Sequence, residues 1–287
     1  GMEWSSRRRR FREVLAGDRC VHPASVFDPL SARIAADLGF ELGMFAGSTA
    51  SLAVLGAPDL VVLTLTEFAE QALRINRAGA PPLLVDADHG YGNALSVMRT
   101  VQELETAGVS GMTIEDTLLP VPFGGGAPRL IPLAEGVGKV AAAVAAREDS
   151  SLVILARTSA IAIAGLEEAL ERVRAYAALG VDGIFLVGAK KRAEIEAVRG
   201  VTALPIVLGT LGGELTDRDW LAANGVRIAL QGHQPIQAAA AAVHATMKAL
   251  REGTPPADLS GLPDAAFTRR ITREAEYEDR AKRFLGS

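Results

Sequence analysis

Residues 152–158 read LVILART, an uninterrupted apolar run that ends in an arginine and a threonine. Similar runs recur along the chain, among them LLV at 83–85, IFLV at 184–187 and IVL at 206–208. None of them alternates apolar with polar residues, as a strand with one face in water would. Continuous apolar strands are typical of a parallel sheet covered on both faces, so we predict a sheet of that kind.

Eight such runs alternate with segments of helical spacing, and glycines stand where several of the helices should end. The predicted strands are 21–26, 42–46, 82–85, 111–114, 152–156, 183–187, 205–208 and 226–230. The predicted helices are 28–38, 66–77, 94–107, 134–146, 166–179, 190–199, 216–224 and 235–251. Eight strand–helix repeats in a chain of this length favour a (β/α)8 barrel of the TIM type over an open doubly wound sheet.

The chain outside these repeats predicts one domain with two helical additions. No stretch rich in Pro, Gly or Ser is long enough to separate two domains, so we expect residues 1–287 to form a single barrel domain. Residues 252–287 are its turn-rich and helical extension, with a charged helix predicted at 272–284 that is suited to pack on a neighbouring subunit. Arg7, Arg8, Arg9 and Arg10 are expected on the solvated face of an N-terminal helix.

The composition argues against several classes of partner. The chain carries 30 Lys and Arg against 34 Asp and Glu, so no overall positive field attracts nucleic acid or an anionic membrane. No apolar stretch approaches the roughly 20 residues of a membrane span, and no apolar secretion signal follows Arg10. The single cysteine, Cys20, excludes an intrachain disulfide and is expected to be a buried, inert thiol. Together these features predict a cytoplasmic, enzyme-sized globular protein.

Acidic residues follow two neighbouring predicted strands, at the positions where barrel enzymes carry their active sites. Asp86 and Asp88 follow the third strand, and Glu115 follows the fourth. Three neighbouring carboxylates repel one another, and a hard divalent cation such as Mg²⁺, which prefers oxygen ligands, would neutralise them. We therefore predict a Mg²⁺ site made by Asp86, Asp88 and Glu115. The competing interpretation is that these acids cap helices or pair with arginines.

Other strand ends carry residues suited to an anionic substrate. Arg157, after the fifth strand, has a planar charged fork that matches a carboxylate or phosphate, unless it pairs with a barrel acid. The backbone amides around Ser48 and Thr49, after the second strand, suit an anion. His233, after the eighth strand, suits substrate binding or proton transfer, with a structural role as the alternative. We predict that all four bind substrate and that Arg157 and His233 are catalytic.

Several motifs carry a family resemblance. The segment DADHGYGN at 86–93, followed by TIED at 113–116, resembles the isocitrate lyase/phosphoenolpyruvate mutase superfamily. The similarity extends over most of the chain and includes VFDPLSAR at 26–33, Gly47-Ser48, and ART at 156–158. The resemblance implies a Mg²⁺ ion at these acids and the cleavage or formation of bonds beside the carbonyl of a 2-oxo acid.

The loop after the fourth strand separates the branches of this superfamily. Lyase branches carry a cysteine there, in a motif of the type K-[KR]-C-G-H, whereas residues 119–126 read LPVPFGGG. The other motifs are most similar to the bacterial oxaloacetate decarboxylase branch. That similarity implies substrate contacts from Ser48, Arg157 and His233, Asp86 at the Mg²⁺ site, and a homotetramer of paired dimers. Leu211 departs from the branch, at a position where relatives can carry an active-site tyrosine.

The activity implied by this branch is a biotin-independent, Mg²⁺-dependent decarboxylation of oxaloacetate to pyruvate and CO2 through a metal-stabilised enolate. A cysteine base is not needed, because decarboxylation removes no proton. One alternative is different 2-oxo-acid chemistry on the same scaffold, either a carbon–carbon lyase of the methylisocitrate lyase type or a phosphonopyruvate mutase or hydrolase. A second alternative is a barrel that binds a small dianion without turnover.

Overall fold

The computed structural model describes residues 4–286, and this range contains one eight-stranded parallel sheet. Its strands β1 to β8 are Ala24–Ser25, Gly43–Phe45, Leu83–Asp86, Gly111–Glu115, Val153–Thr158, Gly183–Leu186, Ile206–Thr210 and Val226–Leu230. Each strand pairs with the next one along the chain, and every pairing is parallel. This order is that of a TIM-type α/β fold and confirms the predicted class. The predicted strand bounds are within one or two residues of the observed ones, except at β1.

Helices follow every strand of the sheet. Within the described range, helices α1 to α13 are Trp4–Ala16, Pro29–Asp37, Gly47–Ala50, Leu65–Arg77, Ala94–Thr106, Leu133–Ala146, Ala160–Ala164, Leu166–Ala177, Arg192–Arg199, Arg218–Ala223, Gln234–Arg251, Ala265–Ile271 and Glu274–Leu285. A π-helical turn at Ser51–Leu55 follows α3, and a 3-10 turn at Pro256–Asp258 follows α11. The eight predicted helices all exist, and the short helices α3 and α7 are additions at strand ends.

Side-chain capping starts the helices that follow the first and third strands. Asp28 caps α2 by accepting from the Ser31 amide, and Pro29 occupies the first helical position. Asn93 caps α5 by accepting from the amides of Leu95 and Ser96. Asn93 is the last residue of the segment 86–93, which carries Asp86 and Asp88. Its cap therefore holds the end of this segment at the start of α5.

The strands are apolar on both faces because each face packs against a separate core. One core lies on the inner side of the sheet and includes Leu84, Leu155, Phe185 and Ile228. The other lies between the sheet and the helices; its strand residues include Leu83, Val85, Ile154, Ile184 and Ile206. Residues of one strand alternate between the two cores, as the period of a strand requires. This arrangement explains why the sequence lacks a polar alternation.

A parallel bridge links the residues before β1 to β8 at Val21 and Ile228. The Val21 amide donates to the Arg227 carbonyl at 2.9 Å, and the Ala229 amide donates to the Val21 carbonyl at 3.0 Å. The sheet therefore curls far enough to bring these two edges into hydrogen-bonding contact. The predicted first strand at 21–26 is longer than β1, because the remaining residues lie outside the regular pairing.

Helix α1 covers one end of the inner core, and it corrects one expectation. Phe11 is fully buried in that core. Arg8, expected in solvent, is only 4% exposed, and it donates to the carbonyls of Val109 and Glu105 and to the Asp149 carboxylate. The expectation for Arg8 is wrong because distant residues supply a full set of acceptors for its guanidinium. Arg7 is half-buried and donates to the Asn76 carbonyl at 2.6 Å, whereas Arg9 and Arg10 are exposed, as predicted.

The C-terminal region contrasts with the rest of the chain in its exposure. Helix α11 spans 18 residues and buries none of them. The charged helix predicted at 272–284 exists as α13, but a further helix, α12, precedes it, and Arg273 with φ +59° separates the two. No helix in the described range is long and apolar enough to cross a membrane. Cys20 is buried, as predicted, and burial raises the pKa of its thiol to about 11.

Candidate active site

The structure brings the three predicted acids together. Asp86 is the last residue of β3, Asp88 follows it by two residues, and Glu115 is the last residue of β4. One carboxylate oxygen from each lies within 4.8 Å of those of the other two. The parallel register of β3 and β4, which pairs Asp86 with Thr113, produces this proximity. Three carboxylates at this spacing form a potential metal-binding cluster.

The backbone around Asp88 is bent to hold its carboxylate in place. Asp88 has φ +49°, in the left-handed region that aspartate tolerates better than most residues. Its amide donates to Asp86 Oδ1 at 3.0 Å, and its carbonyl accepts from the Glu115 amide at 2.9 Å. A Cβ added at Gly47 would lie 3.1 Å from Asp88 Oδ2, so any larger residue here would require the Asp88 carboxylate to shift by a few tenths of an ångström. The start of α3, directly after β2, therefore packs against the cluster.

Arg157, in β5, provides the positive charge of the site. Its Nη1 lies 2.6 Å from Asp86 Oδ2 and 3.6 Å from Glu115 Oε1. The guanidinium also lies over the Phe185 ring, 5.4 Å from the centroid, and its Nε is buried with no hydrogen-bond partner among the described residues. The ion pair that the sequence left as an alternative is thus present, although one guanidinium faces three acids.

The electrostatics of the cluster fit a divalent cation. Three carboxylates against one guanidinium leave an excess of two negative charges in a largely buried site. Burial, together with Asp86 and Glu115, raises the pKa of Asp88 to about 9, and burial raises the pKa of Glu115 to about 7. Holding all three acids ionised therefore needs additional positive charge, and an all-oxygen donor set is the one that Mg²⁺ prefers. The residues present fit such an ion.

Ser48 and Thr49 lie where the sequence placed them, in α3 directly after β2. The first intrahelical bond at this end is from the Ala50 amide to the Ala46 carbonyl, so the amides of Gly47, Ser48 and Thr49 precede the helical hydrogen bonds. Ser48 is half-buried, whereas Thr49 is fully buried and its hydroxyl has no partner within the described chain. The Thr49 side chain is therefore shielded from solvent.

His233 precedes α11 and is held by a hydrogen bond to the first strand. Its Nδ1 lies 2.7 Å from the Ser25 hydroxyl in β1. Burial lowers the pKa of His233, although Asp86 and Asp59 act in the opposite direction. These two carboxylates therefore lie close enough to interact with the imidazole. Burial therefore favours the neutral form of His233. His233 lies with the acids at the carboxyl ends of the strands, a region called the mouth below.

Sequence reasoning missed Asp59, which belongs to the loop between the π-helical turn and α4. Partial desolvation of the carboxylate and the charge of Asp86 raise the pKa of Asp59, while Arg157 and His233 act to lower it. These interactions indicate that the exposed loop brings a fourth carboxylate to the mouth. The available signal was weak, because Asp59 is preceded by a proline in an irregular segment and does not end a strand.

His89 and Lys139 form a buried contact beneath the acids. Lys139, in α6, donates to the His89 carbonyl at 2.9 Å. Burial, aided by the Lys139 charge, lowers the pKa of His89 to about 4, so this imidazole is neutral. Its Nδ1 is buried without a partner among the residues described. The contact fixes the backbone that follows Asp88.

Comparisons with known proteins agree with this geometry. A curated oxaloacetate decarboxylase of Bradyrhizobium diazoefficiens is 59% identical over 285 residues, which cover 99% of each chain. The solved structure of a phosphonopyruvate hydrolase complexed with oxalate and Mg²⁺ is 29% identical, with a TM-score of 0.86 and coverage of 97% of this chain and 99% of that one. An oxaloacetate acetylhydrolase with the inhibitor 3,3-difluorooxalacetate is also 29% identical, with a TM-score of 0.84 and coverage of 98% and 97%.

The family assignment rests on the whole eight-stranded domain and not on one motif. The sequence profile of the family described as phosphoenolpyruvate phosphomutase matches residues 11–251, which include all eight strands and the acid cluster. This match confirms the resemblance found in the sequence. The chain belongs to the phosphoenolpyruvate phosphomutase family.

Proposed function

We propose that this protein is a metal-dependent, biotin-independent oxaloacetate decarboxylase that releases pyruvate and CO2. The observation that carries the proposal is the full-length identity of 59% to an enzyme of that name. The acid cluster supports it, because chemistry beside a keto group needs a centre that accepts negative charge. The loop 119–126, which has neither cysteine nor lysine, supports a reaction that needs no added base.

We propose Mg²⁺ as the cofactor, held by Asp86, Asp88 and Glu115. The excess negative charge of this cluster and its all-oxygen donors support that choice. When bound, the ion supplies a Lewis acid that polarises the keto group of the substrate. Asp59 lies near enough to add to the negative potential that draws the ion in.

The chain's own residues orient the substrate in this proposal. Arg157 binds a substrate carboxylate with the part of its guanidinium that is not engaged by Asp86. The amides of Ser48 and Thr49 donate toward the oxygen on which negative charge develops. These contacts hold the scissile C–C bond across the plane of the carbonyl, where its electron pair overlaps with the π system.

The reaction breaks the bond between the departing carboxylate and the adjacent carbon. The electron pair passes to the keto group as CO2 leaves, and a proton is then added to the carbon to give pyruvate. The proposed source of this proton is solvent or His233 in its imidazolium form. The hydrogen bond to the Ser25 hydroxyl occupies Nδ1 and leaves Nε2 as the nitrogen free for the substrate.

We propose further that the sheet is a closed (β/α)8 barrel in a single domain, with residues 252–287 as its extension. The bridge between Val21 and Ile228 supports closure. A cytoplasmic location is proposed as well, and the lone buried thiol of Cys20 is consistent with a reducing compartment.

We propose a homotetramer made of two dimers. Helix α11 buries no residue and exposes Val243, Met247 and Leu250, which supports a second copy packing on it. An apolar groove of about 520 Å³ between α2 and the start of α11 offers a complementary surface. Light scattering on the purified protein tests this proposal, and a mass of one chain would contradict it.

Product analysis tests the proposed activity. Oxaloacetate labelled with ¹³C is incubated with the protein and Mg²⁺, and products are followed by NMR against a matched reaction containing Mg²⁺ alone. We expect pyruvate and CO2 above the rate of the free ion, with loss of this activity in EDTA. Acetate and oxalate would indicate a hydrolase instead, and no rate above the free ion would indicate a barrel that only binds dianions.

A further inference from the structure

A groove of about 750 Å³ lies between α2, the end of α4 and the C-terminal helix α13. Its lining includes five arginines, namely Arg33, Arg74, Arg77, Arg273 and Arg280. It shares no residue with the acid cluster or with the proposed substrate site. A concentration of arginine in one groove is unexpected in a chain whose net charge is −4.

Three of these arginines have no carboxylate partner within the described residues. Arg74 and Arg77 are spaced i, i+3 on one face of the last turn of α4. Arg33 donates to the carbonyls of Ala78 and Thr272, at 3.1 and 3.4 Å, and to no acid. Their charges therefore stay uncompensated in the groove.

The other two arginines are paired, one firmly and one loosely. Arg273 makes a two-pronged contact with Asp37, at 2.8 and 2.9 Å, which ties α13 to α2 and fixes one wall of the groove. Arg280 lies 3.9 Å from Glu276, and both side chains are largely exposed. Five arginines against Asp37 and Glu276 leave an excess of three positive charges.

We propose that this groove is a second anion-binding site, which holds an oligophosphate group. Guanidinium forks bind phosphate oxygens two at a time, and the excess of three charges matches an anion that carries several phosphates. The volume falls in the range of roughly 300–1,000 Å³ that is usual for small-molecule sites. It leaves room beyond a single phosphate. A ligand here joins α4 to α13 and so fastens the C-terminal helices to the sheet domain.

The oligophosphate has two possible sources, a nucleotide or a free inorganic chain. Tyr277 lines the same groove with 57% of its surface exposed, and the Arg280 guanidinium lies 5.5 Å from its ring centroid. An exposed ring next to the arginines offers a nucleobase a surface for stacking. Tyr277 is therefore the residue that distinguishes the two sources.

Calorimetric titration of the intact protein tests the proposal, with inorganic tripolyphosphate and ATP as probes. EDTA is present throughout, so that the metal-free acid cluster repels both anions. The test variant is R74A/R77A, and the matched control is R9A/R10A, which removes two exposed arginines of α1 and the same charge. We expect one site per chain in the wild type and in the control. We expect a loss of about tenfold or more in the affinity of the test variant.

The Tyr277 variants then identify the source. A nucleotide site predicts that Y277A weakens ATP binding several-fold, spares tripolyphosphate, and is rescued by Y277F. Equal effects of all Tyr277 variants on both probes support an inorganic chain in the same site. The proposal is overturned by an absence of saturable binding, or by equal affinities in R74A/R77A and R9A/R10A. It is also overturned if R74A/R77A lowers the mass in light scattering, since the groove would then be a contact between copies.

Discussion

Glu115 and Asp116 are consecutive residues at the end of β4, and their carboxylates have opposite surroundings. Asp116 faces α8, where it accepts from Tyr176 at 2.6 Å and pairs with Arg172 at 3.1 Å. Glu115 faces the mouth, where it joins two other acids and shares one arginine with them. The paired carboxylate of Asp116 stabilises the packing of α8 against the sheet. The carboxylate of Glu115 belongs instead to a cluster whose excess negative charge a cation could neutralise.

The largest effect on stability should come from removing Arg172, the partner of Asp116. Arg172→Met leaves Asp116 as a buried, unpaired charge, and we expect the free energy of unfolding to fall by about 3–5 kcal/mol. Urea unfolding measures this loss. Arg174→Met, a change on the exposed face of the same helix, is the control and should alter stability by less than about 0.5 kcal/mol. Equal losses in both variants would contradict the structural role of the pair.

Removing a charge from the acid cluster should lower activity without lowering stability. Asp88→Asn keeps the shape of the side chain and tolerates the left-handed backbone, so stability should stay unchanged or rise in metal-free buffer. We expect kcat/KM for oxaloacetate to fall about a hundredfold or more, because a cation-binding charge is lost. Asp258→Asn, on an exposed turn, serves as the control. Full activity in Asp88→Asn would remove this residue from the site.

The pH dependence of stability sharpens the contrast. In EDTA, the folded state keeps protons on Glu115 and Asp88 up to pKa values of about 7 and 9, whereas the unfolded chain releases them near pH 4. Stability should therefore decrease as the pH rises from about 7 to 8.5. His89 contributes with the opposite sign only below that window, since its folded pKa is about 4.

Urea unfolding at several pH values measures this slope, and Asp88→Asn provides the comparison. The slope should be shallower in Asp88→Asn than in the wild type, because Asp88 is the acid that still holds its proton over most of this pH range. Identical slopes in both proteins would show that the Asp88 carboxyl has an ordinary pKa and that the mouth is not short of positive charge.

A smaller effect is expected at the edge of the mouth. Ser25→Ala removes the hydrogen bond to His233 Nδ1, and we expect kcat to fall about five- to tenfold, as for one hydrogen bond of about 1 kcal/mol. Ser25→Thr retains a hydroxyl and should recover most of the rate. A shift in the pH profile of kcat in Ser25→Ala distinguishes positioning of the imidazole from a general packing defect. An unchanged profile and rate would contradict this role.

The fold was predictable because its signal is local and repeated. Each apolar run, such as 152–156, lies within two residues of a strand, and caps such as Asn93 stand at the start of a helix. The acid cluster was predictable for a related reason. Strand ends in a parallel sheet meet at one edge, so Asp86, Asp88 and Glu115 had to approach one another.

The remaining features depend on contacts between residues far apart in the chain. Arg8 is buried because Asp149, 141 positions away, accepts its charge. Asp59 reaches the mouth from an irregular loop that carries no periodic signal. The groove lined by Arg74 and Arg77 exists only because α13 returns to pack beside α2 and α4. Tertiary geometry alone reveals such sites.

Calorimetric titration of EDTA-treated protein with Mg²⁺ is the most direct test of the idea that unneutralised acids at the mouth hold a catalytic cation. We predict one ion per chain in the wild type. Binding should be lost or weakened by about tenfold or more in Asp86→Asn and in Asp88→Asn, and unchanged in Asp258→Asn. An absence of saturable binding to the wild type, or the same affinity in all four proteins, would contradict the account.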